Sequence, residues 1–191
     1  MFMTGPGGAG KSAVISSLMS YCEEFCGHLG AHFDSRTLIV TAMTGVAATS
    51  IMGETTSKAV GLTKTSYDSE YIQSFANTRM ILIDEISFCK AKELEQLDRA
   101  LKCLKEEAQT YGGLHVIFCG DFHQLPPVGA PSIWEENRLL WHNVLNSFVE
   151  LEGTWRFAED PEWGAILGRM RMGSTTEEDM VVFDSRVIIS K

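Results

Sequence analysis

The sequence predicts an α/β fold in which a mostly parallel sheet is flanked by helices on both faces. Short apolar runs of strand length alternate along the chain with longer segments of helical periodicity. Several of these runs are apolar at nearly every position, which is typical of strands covered by helices on both sides. With 191 residues, the chain is long enough for one α/β domain and too short for two full ones.

The predicted elements follow in order along the chain. The apolar runs predict strands at residues 2–4, 37–42, 80–84, 115–119 and 148–151. Helical periodicity predicts helices at residues 11–25, 45–52, 69–75, 91–107, 138–146 and 161–171. In the segment 91–107, leucines recur on one stripe and charges occupy the rest, so this helix is expected to pack on the sheet.

Composition limits the classes of partner. The net charge is −9, from 16 Lys and Arg against 25 Asp and Glu. Affinity for phosphates usually rests on clustered basic residues, so this balance argues against a simple basic coat for nucleic acid. The negative net charge is compatible with a motor protein that binds one nucleic-acid strand through a small part of its surface. No apolar stretch approaches the ~18 residues of a membrane-spanning helix, so no membrane partner is expected.

The chain has five cysteines, an odd number, with no C-x-x-C pair. We expect them to be small buried apolar residues of a protein in a reducing compartment. Zinc needs four ligands, and only His28 lies near Cys22 and Cys26, so the sequence does not favour a metal site made by cysteines.

A glycine-rich segment follows the first predicted strand and opens the first predicted helix. It matches G-x-x-x-x-G-K-S/T at every position, with the residues Gly5, Pro6, Gly7, Gly8, Ala9, Gly10, Lys11 and Ser12. Glycines let the backbone wrap closely around phosphate oxygens, and the helix directs its positive end at the same charge. In such loops the Lys reaches the β- and γ-phosphates and the Ser ligates Mg²⁺. The segment therefore predicts a site for a nucleoside triphosphate, ATP, with Mg²⁺.

Two adjacent carboxylates lie at the end of the predicted strand at residues 80–84: Asp84 is its last residue and Glu85 follows it. In proteins with a phosphate loop, the first of them, here Asp84, helps to hold Mg²⁺. The second, Glu85, is placed to polarise a water for attack on the γ-phosphate, which is the work of a general base. Small-molecule kinases do not need this second carboxylate, so the pair indicates an NTPase rather than a transferase.

A longer pattern resembles a known family. Residues 120–128 read Gly-Asp-Phe-x-Gln-Leu-Pro-Pro-Val. This run resembles the third helicase motif of the petite-integration-frequency (Pif) DNA helicases, which belong to superfamily 1 with the RecD-like helicases. Other segments resemble the family's motifs in order: residues 5–12 motif I, 41–48 motif Ia, 83–87 motif II and 151–173 the motif IV region.

The resemblance implies a RecA-like fold for residues 1–172, with 173–191 starting a connection to a second RecA-like domain outside this chain. It implies an ATP-dependent helicase moving 5′ to 3′ on single-stranded DNA and meeting duplex junctions. By analogy, Gln124 would sense the γ-phosphate, and Arg156 would act as an arginine finger. It also implies an intracellular location, in the nucleus or mitochondrion of a eukaryote, and is compatible with DNA repair, recombination or telomere maintenance.

The residues that the resemblance places near the DNA backbone are Thr44, Gly45, Thr55 and Ser57. They would act through hydroxyl and N–H groups rather than charge. Family members usually carry His where this chain has Ser57.

Three of these residue roles have an alternative. Thr44 could simply cap a helix, Gln124 could stabilise a turn, and Arg156 could form a surface salt bridge. For the whole chain, the alternatives are a nucleotide-binding module without turnover, or another enzyme with a phosphate loop, such as a nucleotide kinase or a clamp-loader-type ATPase.

Overall fold

The computed structural model describes residues 1–136 and 139–187, and these contain one six-stranded, all-parallel sheet. The strands are β1 (Phe2–Thr4), β2 (Leu38–Ala42), β3 (Glu54–Thr55), β4 (Met80–Asp84), β5 (His115–Cys119) and β6 (Phe148–Glu150). Their order across the sheet is β3-β2-β4-β5-β1-β6. The central strands β2, β4, β5 and β1 therefore have neighbours on both sides, and packing on both faces of the sheet explains their nearly continuous apolar character.

Helices connect the strands. They are α1 (Lys11–His28), α2 (Gly45–Ser50), α3 (Thr56–Val60), α4 (Ser69–Gln73), α5 (Ala91–Lys105), α6 (Ile133–Glu136), α7 (Pro161–Arg171) and α8 (Glu177–Asp184). Several begin where the sequence provides a cap. Asp160 accepts a hydrogen bond from the backbone N–H of Trp163 at 3.0 Å, and Pro161 opens α7, where its fixed φ suits a first helical turn.

The helices cover the sheet on both faces, as predicted. Along β4, Ile81 and Ile83 lie on one face with the leucine stripe of α5, while Leu82 lies on the other face with Ile15 of α1. This alternation follows from the two-residue period of a strand. The four leucines of the α5 stripe, Leu94, Leu97, Leu101 and Leu104, are all buried. The predicted α/β fold is confirmed.

Most predicted elements are present with small shifts at their ends. The strands at residues 2–4, 80–84 and 115–119 have the predicted bounds, whereas β2 begins and β6 ends one residue inside its prediction. Strand β3 and helices α3, α6 and α8 were not predicted. Strand β3 has only two residues, too few to show a periodicity.

The prediction of a helix at residues 138–146 is wrong for residues 139–146, the part that the structure describes. Arg138 lies outside the described residues, residues 139–144 form turns, and residues 145 and 146 have no regular structure. Trp141 is buried there, with its ring centroid 5.2 Å from that of Phe2 and 5.1 Å from that of Phe118. The hydroxyl of Tyr111 donates to the carbonyl of Leu140 at 2.6 Å. Tertiary contacts therefore determine the conformation of this segment, although its periodicity alone predicts a helix.

The cysteine prediction holds for Cys89 and Cys119, which are buried. It is wrong for Cys103, which is exposed on α5, and Cys22 and Cys26 are half-buried on α1. Within the described residues, no helix is both long enough and apolar enough to cross a bilayer.

Candidate active site

Because the strands are parallel, their carboxyl ends meet at one edge of the sheet, where open α/β sheets bind ligands. The glycine-rich loop follows β1 at this edge and leads into α1. The Nζ atom of Lys11 donates to the carbonyl oxygens of Gly5 at 2.7 Å and Pro6 at 3.2 Å, so the ammonium group lies against its own loop. The loop, the helix N-terminus and this ammonium group together form a site suited to phosphate.

Gly8 permits a close approach of a distant segment to this loop. Its φ is +86°, and a Cβ atom built on it would lie 2.5 Å from the Cβ of Arg156. Any other residue would therefore push away the short 3₁₀ turn Trp155–Phe157. No acidic side chain of the described residues lies within ion-pair distance of Arg156, so the alternative role in a surface salt bridge finds no support among them.

The two carboxylates after β4 differ in environment. Asp84 is buried, and its Oδ1 accepts a hydrogen bond from the backbone N–H of Glu85 at 2.9 Å. Burial raises the pKa of Asp84, partly opposed by that hydrogen bond and by the charge of Lys11. The Asp84 carboxylate is therefore held at the base of the site, close to the only lysine of the phosphate loop.

Glu85 has a backbone that L-residues rarely adopt, with φ 55° and ψ 40°. This left-handed conformation turns the chain sharply after β4, and such backbone is found mostly where function requires it. Burial raises the pKa of Glu85, as do the charges of Asp84 and Asp121, while Lys11 opposes them. A carboxylate with a raised pKa is a better proton acceptor, as a general base requires.

The loop after β5 brings Gln124 to the same place. Gly120 precedes it, and a Cβ there would lie 3.0 Å from the backbone nitrogen of Ile86, so the loops after β4 and β5 touch. The Nε2 atom of Gln124 donates to Oδ2 of Asp121 at 3.1 Å. The amide therefore does stabilise a turn, and Gln124 also lines a cavity together with residues of the phosphate loop.

A cavity of about 430 Å³ unites these segments. The predicted residues that line it are Gly7, Gly8, Gly10, Lys11, Ser12, Thr44, Asp84, Glu85, Gln124 and Arg156. Of the other phosphate-loop residues, Gly5 and Ala9 are buried and do not line it, and Pro6 lines a second cavity of about 380 Å³. Every residue predicted to act on nucleotide or Mg²⁺ outside the loop borders the first cavity.

The predicted DNA-contacting residues are less closely grouped. Thr44 caps α2, accepting from the N–H of Ala47 at 3.3 Å, and Thr55 caps α3, accepting from the N–H of Lys58 at 3.4 Å. Capping is thus a structural role for both threonines. Gly45 and Ser57 are exposed at the starts of these two helices. Only Thr44 borders the cavity.

Three side chains at the site were not predicted from sequence. Asp121 is buried and pairs with Arg171, whose Nε and Nη2 each lie 2.9 Å from one carboxylate oxygen. Trp155 is 76% exposed, and its ring lies 3.8 Å from a Cβ built on Gly10. Asp121 and Arg171 both lie in segments that resemble helicase motifs, so the sequence could have marked each of them as a candidate. Nothing in the sequence shows that the two side chains contact each other.

Burial alone would raise the pKa of Asp121, but its hydrogen bonds outweigh this. Donors from Arg171, from the backbone of His123 and from Gln124 hold the pKa of this carboxyl below its usual range. Asp121 is therefore a fixed negative charge in contact with Gln124, which lines the cavity.

Comparison with known proteins decides the family. The family model of PIF1-like helicase matches residues 1–162. The chain belongs to this family. The chain is 30% identical over 193 residues to the ATP-dependent DNA helicase PIF1 of Saccharomyces cerevisiae, across 93% of this chain and 22% of the yeast protein.

Two solved structures show the same fold. A crystal structure of the Pif1 helicase from Candida albicans superposes with a TM-score of 0.80 at 26% identity, covering all of this chain and 45% of that one. Pif1 of a Bacteroides species in complex with ADP-AlF4 superposes with a TM-score of 0.61 at 27% identity, covering 93% of this chain and 43% of that one. The RecA-like fold implied by the resemblance is confirmed.

Proposed function

We propose that this chain is the ATP-hydrolysing RecA-like domain of a DNA helicase that moves on single-stranded DNA. The observation that carries the proposal is the single cavity that the phosphate loop, Asp84, Glu85, Gln124 and Arg156 border together. These residues come from four separate segments of the chain, and each has the side-chain chemistry that phosphoryl transfer to water uses. The Saccharomyces cerevisiae relative PIF1 is an ATP-dependent DNA helicase, which supports the proposal.

In the proposed reaction, the backbone of the glycine-rich loop and Lys11 hold the β- and γ-phosphates. Glu85 accepts a proton from the attacking water, and its raised pKa suits that task. Arg156 stabilises the charge on the phosphoryl group as it is transferred, and Gln124 contacts the γ-phosphate or the attacking water. The Bacteroides relative has been crystallised with ADP-AlF4, a mimic of the phosphoryl group in transfer, which supports a nucleotide at this site.

The oxygen donors at the cavity suit Mg²⁺. The buried Asp84 carboxylate and the Ser12 hydroxyl border the same space, and Mg²⁺ in phosphate sites takes one or two carboxylates beside hydroxyl, water and phosphate oxygens. Residues 1–136 and 139–187 hold no cluster of three or more His, Cys, Asp and Glu that could cage a metal alone. When bound there, Mg²⁺ would neutralise charge on the phosphate oxygens.

We also propose that single-stranded DNA crosses the face bearing α2 and α3. Gly45 and Ser57 are exposed there, and Thr44 and Thr55 retain hydroxyl hydrogens that can donate to phosphate. Replacing Ser57 by Ala should weaken binding of labelled oligo-dT about 2- to 5-fold, the size of one hydrogen bond. Ser20→Ala, which removes an exposed hydroxyl on α1, is the matched control for fluorescence anisotropy. Equal affinities for the two variants would contradict this placement.

We infer that residues 1–172 form the RecA-like domain and 173–191 begin a connection to a second one. The chain spans 22% of the yeast relative's length, which leaves room for further domains in that protein. Helix α8 packs back on α7, since Arg169 pairs with Asp179 at 2.6 Å and the rings of Trp163 and Phe183 lie 5.8 Å apart. The connection thus starts as a docked helix, and residues 188–191 of it lie outside the described residues.

Hydrolysis of Mg-ATP, measured with and without oligo-dT, tests the proposal. We expect turnover that single-stranded DNA increases and that Lys11→Ala abolishes. Lys92→Ala, which removes an exposed charge on α5, should hydrolyse ATP like the unchanged chain. ATP binding without turnover would favour the alternative of a nucleotide-binding module. The absence of nucleotide binding by a folded chain would overturn the proposal.

A further inference from the structure

The loop after β5 is fixed by a buried ion pair with a helix 50 residues further along the chain. Arg171, in the last turn of α7, donates from Nε to Oδ2 and from Nη2 to Oδ1 of Asp121, both at 2.9 Å. The Asp121 side chain is 0% exposed and that of Arg171 17%. Two parallel hydrogen bonds of this kind fix the orientation of both groups, not only their distance.

Asp121 accepts two further hydrogen bonds. The backbone N–H of His123 donates to Oδ1 at 3.0 Å, and Nε2 of Gln124 donates to Oδ2 at 3.1 Å. Each carboxylate oxygen therefore serves one donor from Arg171 and one from the loop. The orientation of the carboxylate, which Arg171 sets, determines where the Gln124 amide can lie.

The hydrogen bond from Gln124 also decides which atoms of its amide face the cavity. A carboxylate only accepts, so the NH₂ group must be the end that faces Asp121. One of its two hydrogens is used there, which leaves the second hydrogen and the carbonyl oxygen for groups in the cavity. Donation to a phosphate oxygen and acceptance from a water are both available in this orientation.

We propose that Arg171 is a positioning residue for Gln124: through Asp121, it holds the Gln124 amide where a γ-phosphate would lie. Arg171 and Arg156 belong to one continuous segment, since the turn Trp155–Phe157 leads directly into α7. The ion pair therefore ties the segment that carries Arg156 to the loop that carries Gln124. This inference rests on the proposed function, because it presumes a triphosphate in the cavity.

Arg169 provides a matched control on the same helix. It also makes a two-bond ion pair, with Nε 2.8 Å and Nη2 2.6 Å from the oxygens of Asp179, but its side chain is 39% exposed against 17% for Arg171. That pair joins α7 to α8 and borders neither cavity. Replacing Arg169 by Ala therefore removes an ion pair of the same two-bond type from the same helix without touching the loop after β5.

The test is the preference for a triphosphate over a diphosphate. Affinities of Mg-AMP-PNP and Mg-ADP are measured by competition with a fluorescent nucleotide, together with melting temperatures. We expect Gln124→Ala and Arg171→Ala each to weaken AMP-PNP binding about 3- to 10-fold and to leave ADP binding unchanged, since one hydrogen bond to the γ-phosphate is lost. Arg169→Ala should lower the melting temperature while keeping the preference for AMP-PNP.

The double variant separates positioning from general damage. If Arg171 acts through Gln124, adding Arg171→Ala to Gln124→Ala should cause no further loss of preference. If Arg171→Ala does not fold, Asp121→Asn takes its place in both measurements. It keeps the shape of the side chain and removes the carboxylate that joins Arg171 to Gln124. Equal losses of ADP and AMP-PNP affinity, or additive losses in the double variant, would overturn the inference and leave the proposed function standing. Failure of the unchanged chain to bind either nucleotide would overturn both.

Discussion

Gly8 and Arg156 lie so close that a Cβ on Gly8 would stand 2.5 Å from the Cβ of Arg156. Gly8 also has φ +86°, which disfavours any side chain. We therefore expect Gly8→Ala to lower the free energy of unfolding by about 2 to 4 kcal/mol, from backbone strain and overpacking together. The displaced Arg156 should also reduce ATP hydrolysis. Denaturant unfolding and a turnover assay measure the two effects.

Gly27→Ala is the comparison for Gly8→Ala. Gly27 lies within α1, and a Cβ there has no neighbour within 4 Å. Ala is favoured over Gly inside a helix, so this variant should gain about 0.5 to 1 kcal/mol. Similar stabilities for the two variants would show that the contact between Gly8 and Arg156 is not as close as described.

Replacing Glu85 should raise the stability of the fold and remove ATP hydrolysis. Burial and the charges of Asp84 and Asp121 raise its pKa, so the ionised side chain costs stability at neutral pH. Glu85→Gln removes that charge and should be more stable than the unchanged chain. Glu85→Asn should be more stable again, by about 1 kcal/mol, because Asn tolerates the left-handed backbone better. Both variants should lose hydrolysis; a less stable Asn variant would contradict the strain at this residue.

Asp179 should contribute to acid unfolding. Hydrogen bonds from Arg169 and from the Thr176 backbone hold the pKa of Asp179 far below its usual range. A depressed carboxyl pKa stabilises the fold fully above the ordinary Asp pKa of about 3.9, and that stability is lost as the pH falls through the lower, folded value. Asp179→Asn should therefore be less stable at pH 7, and its stability should fall less between pH 5 and pH 2. Parallel pH curves for the two proteins would contradict this.

A chain of buried hydroxyls supports the edge of the sheet near Ser57. Thr56 donates to the hydroxyl of Thr41 at 3.0 Å, and Thr41 donates to the carbonyl of Leu82 at 2.8 Å. Thr41→Val leaves the Thr56 hydroxyl without its acceptor and should cost about 1 to 3 kcal/mol. The double variant with Thr56→Val should recover part of this loss, because no buried hydroxyl then lacks a partner. A double variant as unstable as the sum of the two singles would contradict the chain.

The phosphate loop and the pair Asp84–Glu85 could be predicted because their signals are local. Each depends on a strand, a turn and a few residues in fixed order, and adjacency in sequence determines their geometry. The ion pair of Asp121 with Arg171 could not be predicted, since 50 residues separate the partners and only the packing of α7 brings them together. Likewise, periodicity predicted a helix around Trp141, but this residue is buried among aromatic rings in a segment that is not helical.

The proposed DNA face shows a different limit. Hydroxyl residues at helix starts serve capping and ligand binding equally well, and Thr44 and Thr55 do cap α2 and α3. Their sequence pattern therefore could not separate the two roles. The exposed Ser57 is the most direct test of the DNA proposal, because its hydroxyl is not used as a cap.

The central claim is that the cavity at the phosphate loop binds Mg-nucleotide, and calorimetric titration with Mg-AMP-PNP tests it most directly. We expect one site per chain, with Lys11→Ala weakening binding about 10- to 100-fold because a charge-assisted contact to phosphate is lost. Lys92→Ala should bind like the unchanged chain. Equal affinities of the Lys11→Ala variant and the unchanged chain, both folded by circular dichroism, would contradict nucleotide binding at the phosphate loop.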